Sequence, residues 1–399
     1  MQSLILIFAI TISLGICERK LNVEYNPGCP LSYPENCSQL LKLAYVRADG
    51  ANDTIHFIFG FTYKPSLIIS KTNKNSEIKI NYDELKSNTA NTILFSEVPL
   101  YTFATVFNNL YEYVDVNDTA RLENGSNFLT MDFRKFQNWT VNLMENDNNE
   151  TVHVKISSNL YRDVGITKRG NVSITLKVYA KEDKGLMFPH LIHTPESSEL
   201  TLTLDHLTLN NPKSRYAVEL LTLSSYPYNA TEKMTLKTFN DDSSSGGVFS
   251  SYLIDAKGED LEGGGYLTWK PVVFKAYDTH AFNSSSTTQY SIEDHSNQTD
   301  WIKSTLFNLF GNQLFEQQFM MKALNISFGE PNDGFYSKSN YLYWTFLAGV
   351  GAPPNGGLGF FEVSIIASLL LLLTITMILV FCVFTRWISS KRQLIIYGQ

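Results

Sequence analysis

The residues whose types and spacing could support metal chemistry are few. His190-x-x-His193 is the only close pair among the seven histidines, and two imidazoles at such a spacing can share a zinc ion. Pro189 and Pro195 flank the pair, so these histidines cannot lie on a helix of the HExxH type. We therefore predict a loop with two exposed imidazoles and no metal site.

Patterns for nucleophilic or acid–base catalysis are equally weak. The chain has no G-x-S-x-G elbow, P-loop or G-x-G-x-x-G after a strand. The serine runs at residues 243–245 and 284–286 are typical of solvated loops. The adjacent Asp241 and Asp242 are more readily solvated than joined by a shared proton. We predict a non-enzymatic protein without a cofactor, and a glycosidase-type acid pair distant in sequence is the remaining enzymatic alternative.

Composition limits the classes of partner. The chain has 399 residues, a formal net charge of −7, 44% hydrophobic residues and 13% aromatic residues. This length suits one large or two ordinary domains, and the aromatic content argues against disorder. The acidic balance and the lack of a basic run exclude a nucleic-acid partner.

The amino-terminal segment is typical of a secretory signal. Residues 4–16 form a charge-free and mostly apolar run that is too short to cross a bilayer comfortably. Gly15 and Cys17 are small enough for the −3 and −1 positions of a signal-peptidase site. We predict a cleaved signal peptide at residues 1–17, with an uncleaved anchor as the alternative.

The carboxyl-terminal segment predicts a membrane span. Residues 363–384 carry no charge and reach about 33 Å as a helix. Arg386, Lys391 and Arg392 follow without an acidic residue, which places residues 385–399 in the cytoplasm by the positive-inside rule. This basic remainder argues against a GPI-anchor signal. We predict a type I single-span protein with a lumenal region at residues 18–348 and a Gly/Pro-rich juxtamembrane linker at 349–362.

The predicted lumenal region contains a cysteine pair and many glycan acceptors. A disulfide between Cys29 and Cys37 is the simplest arrangement in an oxidising lumen. Cys382 falls inside the predicted span as a buried thiol or a palmitoylation site. Eleven N-x-Ser/Thr acceptors lie between the signal and the span: Asn36, Asn52, Asn117, Asn124, Asn138, Asn149, Asn171, Asn229, Asn283, Asn297 and Asn325.

Alternation of apolar and polar residues predicts a mainly β fold. Val172, Ile174, Leu176 and Val178 alternate with polar residues that begin at Asn171, which predicts a half-buried strand with its acceptor on the outer face. The same pattern surrounds Asn325, and similar runs recur at residues 55–61, 78–82, 152–156 and 200–204. We predict a lumenal antiparallel β-sandwich, either undivided or split into two packed subdomains near residues 145–150 and 241–247.

Two weaker helical patterns complete the predicted elements. Leu306, Leu309 and Phe310, with Trp301 upstream, indicate one short amphipathic helix. Within the predicted span, Ser364, Ala367 and Ser368 place small side chains on one helical face, where a second transmembrane helix could approach closely. A helix surrounded only by lipid, with incidental serines, is the alternative.

Four stretches carry a family resemblance. The run Asn340-Tyr-Leu-Tyr-Trp-Thr-Phe-Leu-Ala-Gly-Val-Gly-Ala-Pro-Pro354 resembles the juxtamembrane signature of the glycosylated lysosomal membrane protein family. Ala323-Leu-Asn-Ile-Ser-Phe-Gly329 is similar to the strand that precedes it in the family. Ala51-Asn-Asp-Thr-Ile-His-Phe57 and Val116-Asn-Asp-Thr-Ala120 are similar to segments nearer the amino end.

The resemblance implies a heavily glycosylated type I protein of the lysosomal membrane. It also implies an accessory subunit that binds a multispan, major-facilitator-type lysosomal transporter of dipeptides and protects it from proteases. Bulky glycans and a compact β fold deny proteases an extended segment, which agrees with such a role. The alternative classes are a cell-surface receptor or adhesion glycoprotein and a membrane-anchored acid hydrolase.

The predicted tail departs from the family pattern. The resemblance implies a tyrosine-based sorting signal with an apolar residue three positions after the tyrosine. Here only Gly398 and Gln399 follow Tyr397, so the signal is incomplete. Leu394 and Ile395 resemble a dileucine signal without its upstream acid. An atypical tail or the partner would then direct sorting.

Overall fold

A computed structural model describes most of the chain. The residues described are 18–29, 42–85, 89–122, 128–145, 150–185, 187–225, 233–241, 249–257, 264–278, 283–295, 299–316, 319–354 and 360–396. The predicted signal peptide therefore lies outside the described residues.

Strands dominate these residues, as the alternation predicts. The strands are β1 (Lys20–Tyr25), β2 (Leu43–Asp49), β3 (Asp53–Gly60), β4 (Ser66–Asn73), β5 (Ile78–Ile80), β6 (Ile93–Phe95), β7 (Tyr101–Val114), β8 (Phe128–Asp132), β9 (Phe136–Gln137), β10 (Thr140–Glu145), β11 (Thr151–Asp163), β12 (Ile166–Tyr179), β13 (Asp183–Lys184), β14 (Ile192–His193), β15 (Ser197–Asp205), β16 (Ser214–Ser225), β17 (Lys233–Asp241), β18 (Phe249–Lys257), β19 (Gly264–Trp269), β20 (Val272–Phe274), β21 (Ser284–Gln289), β22 (Glu293–Asp294), β23 (Phe319–Phe328) and β24 (Tyr341–Val350). The α-helices are α1 (Tyr82–Leu85), α2 (Thr305–Phe310) and α3 (Phe360–Ile396). Short 3-10 segments lie at Phe133–Lys135, Thr299–Lys303, Gly311–Phe315 and Tyr336–Lys338.

The strands form two antiparallel layers. In the first sheet the spatial order is β1, β2, β3, β4, β7, β16 and β23. In the second sheet it is β10, β11, β12, β15, β24, β19 and β18. β21 pairs with β20 beside the second sheet and with β23 in the first, so it links the two layers. The predicted antiparallel sandwich is confirmed.

The main core lies between the two sheets. Val172, Ile174, Leu176 and Val178 are fully buried there, as the alternation in β12 predicts. Phe107 of the first sheet and Phe346 of the second pack with their ring centroids 6.0 Å apart. The alternating runs of the sequence therefore identify the faces that meet, because successive strand side chains point to opposite sides.

The outer face of the first sheet carries a second apolar cluster. Trp301, Leu306, Leu309 and Leu314 come from α2 and the two 3-10 segments beside it, and all are buried. The β5–β6 hairpin contributes Ile93 to the same cluster. The predicted short amphipathic helix is therefore confirmed, and it covers a sheet face that would otherwise be exposed.

The two predicted seams do not divide the sandwich. β10 and β11 flank residues 146–149 and pair with each other, with Glu145 opposite Val152. Around the other seam, the ammonium of Lys237 in β17 lies 3.0 Å from the carboxylate of Asp255 in β18. The strands on both sides of these loops belong to one compact unit. Polar turn residues occur between neighbouring strands as well as between domains, so composition alone did not distinguish the two.

The carboxyl-terminal helix forms a separate unit. α3 has 37 residues, and Ser364–Ile388 is an apolar stretch of 25 residues with a mean hydropathy of 2.9. The helix begins at Phe360 and β24 ends at Val350, so the predicted linker range overlaps both elements. Such a helix reaches about 37 Å over its apolar stretch, which is long enough to cross a membrane.

Candidate functional site

Three of the predicted glycan acceptors are exposed. Asn52 follows β2, Asn117 lies in the turn after β7, and Asn138 precedes β10. Asn138 has a positive φ of 57°, which asparagine tolerates better than most residues. A glycan attached to any of these side chains would extend into solvent.

Three further acceptors are only partly exposed. Asn171 and Asn325 lie on the strand faces opposite the main core, as predicted. The side-chain oxygen of Asn325 is buried without a hydrogen-bond partner among the described residues. Asn283 donates a hydrogen bond to the carboxylate of Asp278. Glycan occupancy stays a prediction for all six described acceptors. The last three have more crowded surroundings than an acceptor on a solvent-facing loop.

The remaining acceptors and one cysteine lie outside the described residues: Asn36, Asn124, Asn149, Asn229, Asn297 and Cys37. Cys29 is disulfide-bonded, and its pairing with Cys37 stays a prediction. Cys382 is a free thiol with an exposed side chain in α3.

A buried ion-pair cluster fixes the turn that carries Asn117. The guanidinium of Arg215 lies 2.8 Å from a carboxylate oxygen of Asp115 and 2.7 Å from one of Asp333. It also pairs with Asp118, which occupies the middle position of the acceptor triplet. The side chains of Arg215 and Asp115 are only 2% and 3% exposed. The cluster joins β7, β16 and the loop before β24.

Two carboxylates of this cluster, on Asp115 and Asp333, are kept ionised by their surroundings. Burial opposes the charge of Asp115, but hydrogen bonds from the Thr119 and Ala120 amides outweigh it and lower the carboxyl pKa below its usual value. Burial likewise opposes the charge of Asp333, and donors from Lys275, Ser285 and Arg215 lower its pKa. Both groups therefore keep their charges in a mildly acidic medium.

A cavity of about 340 Å³ opens on the outer face of the second sheet. Lys177 of β12 and Glu199 of β15 are cross-strand neighbours on its floor, and their charged atoms are 2.6 Å apart. The hydroxyl of Tyr179 donates to the second oxygen of Glu199 at 3.0 Å. Glu199 thus accepts hydrogen bonds from two donors. Among the described residues, Lys177 donates only one of its three N–H groups.

His193 closes one side of this cavity. Its ring stacks on Tyr179 with the centroids 3.4 Å apart, and its side chain is only 6% exposed. Its Nδ1 has no hydrogen-bond partner among the described residues, while the ring is hydrogen-bonded to the backbone of Lys181. The predicted exposed imidazole is therefore wrong for His193, because β13 and β14 fold this segment back onto the sheet. His190 turns away and contacts the Gly185 carbonyl at 2.7 Å.

The cavity combines charged and apolar walls. Met187, Phe188 and Leu191 form its apolar side, and His153 lies beside Lys177 on the neighbouring strand. Burial lowers the pKa of both His153 and His193 below the usual value. No sequence motif identifies this group, although Lys177 and Tyr179 at alternate positions of β12 lie on the same strand face.

The described residues contain no group of three or more His, Cys, Asp or Glu side chains that could hold a metal ion. The two members of the His190-x-x-His193 pair have different neighbours and do not converge.

The predicted partner-facing residues lie near the start of α3. Ala367 and Ser368 are exposed and Ser364 is partly exposed. The Ser368 hydroxyl donates to the Ser364 carbonyl at 2.7 Å, so its polar group is satisfied within the helix. A neighbouring helix would gain close packing here rather than a hydrogen bond.

The predicted sorting residues fall at the end of the same helix. Leu394 and Ile395 lie within α3, which ends at Ile396. Tyr397 lies outside the described residues. A role for any of the three stays a prediction.

A mainly antiparallel sandwich, exposed glycan acceptors and one apolar helix long enough to cross a membrane define a membrane glycoprotein with a large folded region. The family model for glycosylated lysosomal membrane protein matches residues 42–390, so the chain belongs to the glycosylated lysosomal membrane protein family.

Curated relatives cover most of the chain. Glycosylated lysosomal membrane protein B of Xenopus laevis is 27% identical over 362 residues, which are 88% of this chain and 85% of the relative. The Danio rerio protein is 24% identical over 345 residues, with coverage of 84% and 81%. The Homo sapiens protein is 23% identical over 379 residues, with coverage of 91% and 87%. These names describe a membrane glycoprotein and no enzymatic activity.

Proposed function

We propose that this chain is a non-enzymatic accessory subunit of the lysosomal membrane. It binds a major-facilitator-type dipeptide transporter and shields that transporter from lysosomal proteolysis. The sandwich and its glycans lie in the lumen, and the residues after the span lie in the cytoplasm. The observation that carries the proposal is the apolar stretch Ser364–Ile388 of α3, which is long enough to cross a membrane and is not buried among the described residues.

The charge distribution supports this orientation. Arg386 lies near the carboxyl end of the apolar stretch, and Lys391 and Arg392 follow it without an acidic residue. Basic residues favour the cytoplasmic side. All eleven acceptors precede the span, and glycosylation of this type occurs in the lumen. The two signals agree.

The ion-pair cluster around Arg215 supports a protein that works in acid. The carboxylates of Asp115 and Asp333 have pKa values below the usual value, so a lysosomal pH leaves their ion pairs intact. The Asp53 carboxylate also has a lowered pKa, since donors from Arg19 and Lys71 outweigh its burial. A shield must stay folded where the proteases are active, because proteolysis requires local unfolding.

The first experiment is affinity purification of the full-length protein in a gentle detergent, followed by mass spectrometry. We expect a multispan transporter at near-stoichiometric amounts. Recovery of the protein alone, under conditions that preserve known membrane complexes, would contradict the accessory-subunit proposal. It would favour a receptor or, if a screen of lysosomal substrates found turnover, a hydrolase.

The contribution of the helix can be tested by substitution. Ser364→Leu with Ser368→Leu fills the small-residue face, and we expect weaker co-purification because the two helices can no longer approach closely. Thr376→Leu with Val380→Leu, on another face of the same helix, is the matched control and should leave the complex intact. Equal recovery from both variants would exclude this face as the contact.

Shielding requires a separate measurement. Depletion of the chain should shorten the lifetime of the co-purified transporter, and inhibitors of lysosomal proteases should restore it. If the transporter's lifetime does not change when this chain is depleted, the protective role is contradicted, whereas the proposed binding is not affected.

A further inference from the structure

The cavity on the outer face of the second sheet has donors that lack acceptors. Lys177 gives one N–H to Glu199, and its other two have no acceptor among the described residues. Both oxygens of Glu199 are already occupied, by Lys177 and by the Tyr179 hydroxyl. The Nδ1 of His193 is buried and unpaired among the described residues. Buried polar groups without partners are uncommon in folded proteins and indicate a missing ligand or water.

The charges around the cavity balance near neutral pH. Three ammonium groups face it, on Lys177, Lys181 and Lys184. Three carboxylates also face it, on Glu150, Asp183 and Glu199. The phenols of Tyr179 and Tyr343 stay neutral, because burial raises their pKa. The imidazoles of His153 and His193 are therefore the groups whose protonation would make the cavity positive.

The geometry favours an anion over a cation. A cationic ligand would meet a Glu199 whose oxygens are both engaged, and it would be repelled by Lys177 at close range. An anionic ligand would accept the free N–H groups of Lys177 and would be favoured further when His193 is protonated, because Nδ1 then becomes a donor. The volume of about 340 Å³ lies at the lower end of the range for small-molecule sites.

We propose that this cavity binds a small carboxylate ligand, with the carboxylate on Lys177 and His193 and an apolar or aromatic group against Met187, Phe188 and Leu191. The site is independent of the accessory-subunit proposal, since it lies within the sandwich and uses none of the helix residues. A planar carboxylate fits because it can accept several hydrogen bonds at once.

The ligand binds more tightly as the pH falls. The pKa values of His153 and His193 lie below the usual value near 6.5, so both rings are mostly neutral at neutral pH. A bound carboxylate favours their protonated forms, and by linkage protonation strengthens carboxylate binding. A ligand with an ordinary carboxyl pKa near 4.3 remains ionised over most of this range.

The test is calorimetric titration of the full-length protein in nanodiscs of neutral phospholipid. The probes are phenylacetate and indole-3-acetate, and the matched neutral probes are their amides. We expect the acids to bind roughly tenfold more tightly at about pH 5 than at about pH 7.5, and the amides to bind far more weakly at both. Absence of binding by both acids, or equal binding of acids and amides, would overturn the proposal.

Variants assign the binding to the cavity. Lys177→Met with Glu199→Met removes the ion pair without leaving a lone buried charge, and it should abolish binding of the acids. His193→Phe keeps a ring against Tyr179 and should reduce the gain in affinity at low pH. His206→Gln, which removes an exposed imidazole outside the cavity, is the control and should bind like the unmodified protein. Thermal unfolding checks that each variant is folded.

The His193→Phe variant keeps the test decisive if the double variant fails to fold. Unchanged affinity and unchanged pH dependence in a folded His193→Phe protein would place the bound carboxylate elsewhere and overturn the assignment. Loss of the low-pH gain in this variant, with the control unaffected, would support it.

Discussion

At the scale of single residues, the ionisable groups of this sandwich fall into two kinds. Arg215 has four acceptor or carboxylate partners around one guanidinium and almost no exposed surface. His56 is fully buried between the Tyr45 hydroxyl, 2.7 Å from Nδ1, and the Thr72 hydroxyl, 2.9 Å from Nε2. The first group is held in its charged form and the second in its neutral form. Acid therefore affects them differently.

Replacement of Arg215 should be costly. Arg215→Met leaves the buried carboxylate of Asp115 without its cation and leaves Asp333 with Lys275 alone, and we expect a loss of about 3–5 kcal/mol in the free energy of unfolding. The matched control is Arg134→Met, whose side chain is 28% exposed beside Asp132, and its cost should not exceed about 1 kcal/mol. Denaturant unfolding at neutral pH measures both, and equal losses would contradict the assigned importance of burial.

His56 should make the sandwich less stable in acid. Burial lowers its pKa to about 4 in the folded protein, whereas an unfolded histidine titrates near 6.5. The unfolded chain therefore takes up the proton first, and stability falls as the pH drops from about 6.5 to about 4, by up to about 3 kcal/mol. The buried aspartates, whose pKa values are lowered in the folded protein, add to this loss only when the pH falls below the ordinary aspartate pKa near 3.9.

The measurement is denaturant unfolding across this pH range. His56→Gln removes the titrating ring, so its stability should depend less steeply on pH between about 6.5 and about 4, even if the variant is less stable overall. His206→Gln, at an exposed site, should keep the slope of the unmodified protein. The same slope in all three proteins would exclude His56 as the cause.

At the scale of elements, β24 explains part of the family signature. Trp344 is fully buried and packs against Phe346 with the ring centroids 4.8 Å apart. A Cβ at Gly349 would lie 2.6 Å from the ring of Tyr266 on the neighbouring strand β19. Gly351 has a φ of +87°, which side chains rarely adopt. The residues of this signature therefore form the tightly packed end of β24, in addition to preceding the apolar helix in the sequence.

Crowding at the end of β24 gives a testable prediction. Gly349→Ala must displace the Tyr266 ring, and we expect a loss of about 1–3 kcal/mol in the free energy of unfolding. In a Tyr266→Leu background the same alanine should cost less, because the colliding ring atoms are gone. A double-mutant cycle measures this coupling. Equal costs in the two backgrounds would show that the contact with Tyr266 is not the reason for the glycine.

At the scale of the whole molecule, the described part of the sandwich has two packed apolar clusters and one open face. The main core fills the space between the sheets, and α2 with its 3-10 neighbours covers the outer face of the first sheet. The outer face of the second sheet instead holds the cavity beside Lys177. A folded region of this kind offers few extended segments, so we expect cleavage at its loops and protection by any glycan attached there.

Removal of exposed acceptors should make the protein easier to cleave. Asn52→Gln, Asn117→Gln and Thr140→Val each destroy an acceptor triplet, and the last keeps Asn138 at its positive φ. We expect faster digestion by lysosomal proteases at acidic pH, with at most a small change in thermal stability, because glycans act mainly by steric exclusion. The half-life of the intact chain measures the effect.

The control for this prediction keeps every acceptor. Asn22→Gln, Asn73→Gln and Asn142→Gln change exposed asparagines that lie outside acceptor triplets, and they should digest at the rate of the unmodified protein. Equal rates in the two triple variants would indicate that the polypeptide fold alone provides the resistance.

The sequence by itself determined the fold class, the buried strand faces and the apolar helix. These features are local. Successive strand side chains point to opposite faces, so the alternation in β12 predicts its buried face. The number of consecutive apolar residues in α3 predicts a helix long enough to span a membrane. The acceptor triplets are also local, so Asn171 and Asn325 could be assigned to outer strand faces in advance.

Only the tertiary structure decided which polar residues meet. Lys177 and Glu199 are 22 positions apart, Arg215 and Asp115 are 100 apart, and neither pair follows a periodic pattern. Their contacts depend on strand order and register, which loop composition does not specify. The same reason explains His193: the flanking Pro189 and Pro195 predicted an exposed loop, and the pairing of β13 with β14 against the second sheet buries the ring instead.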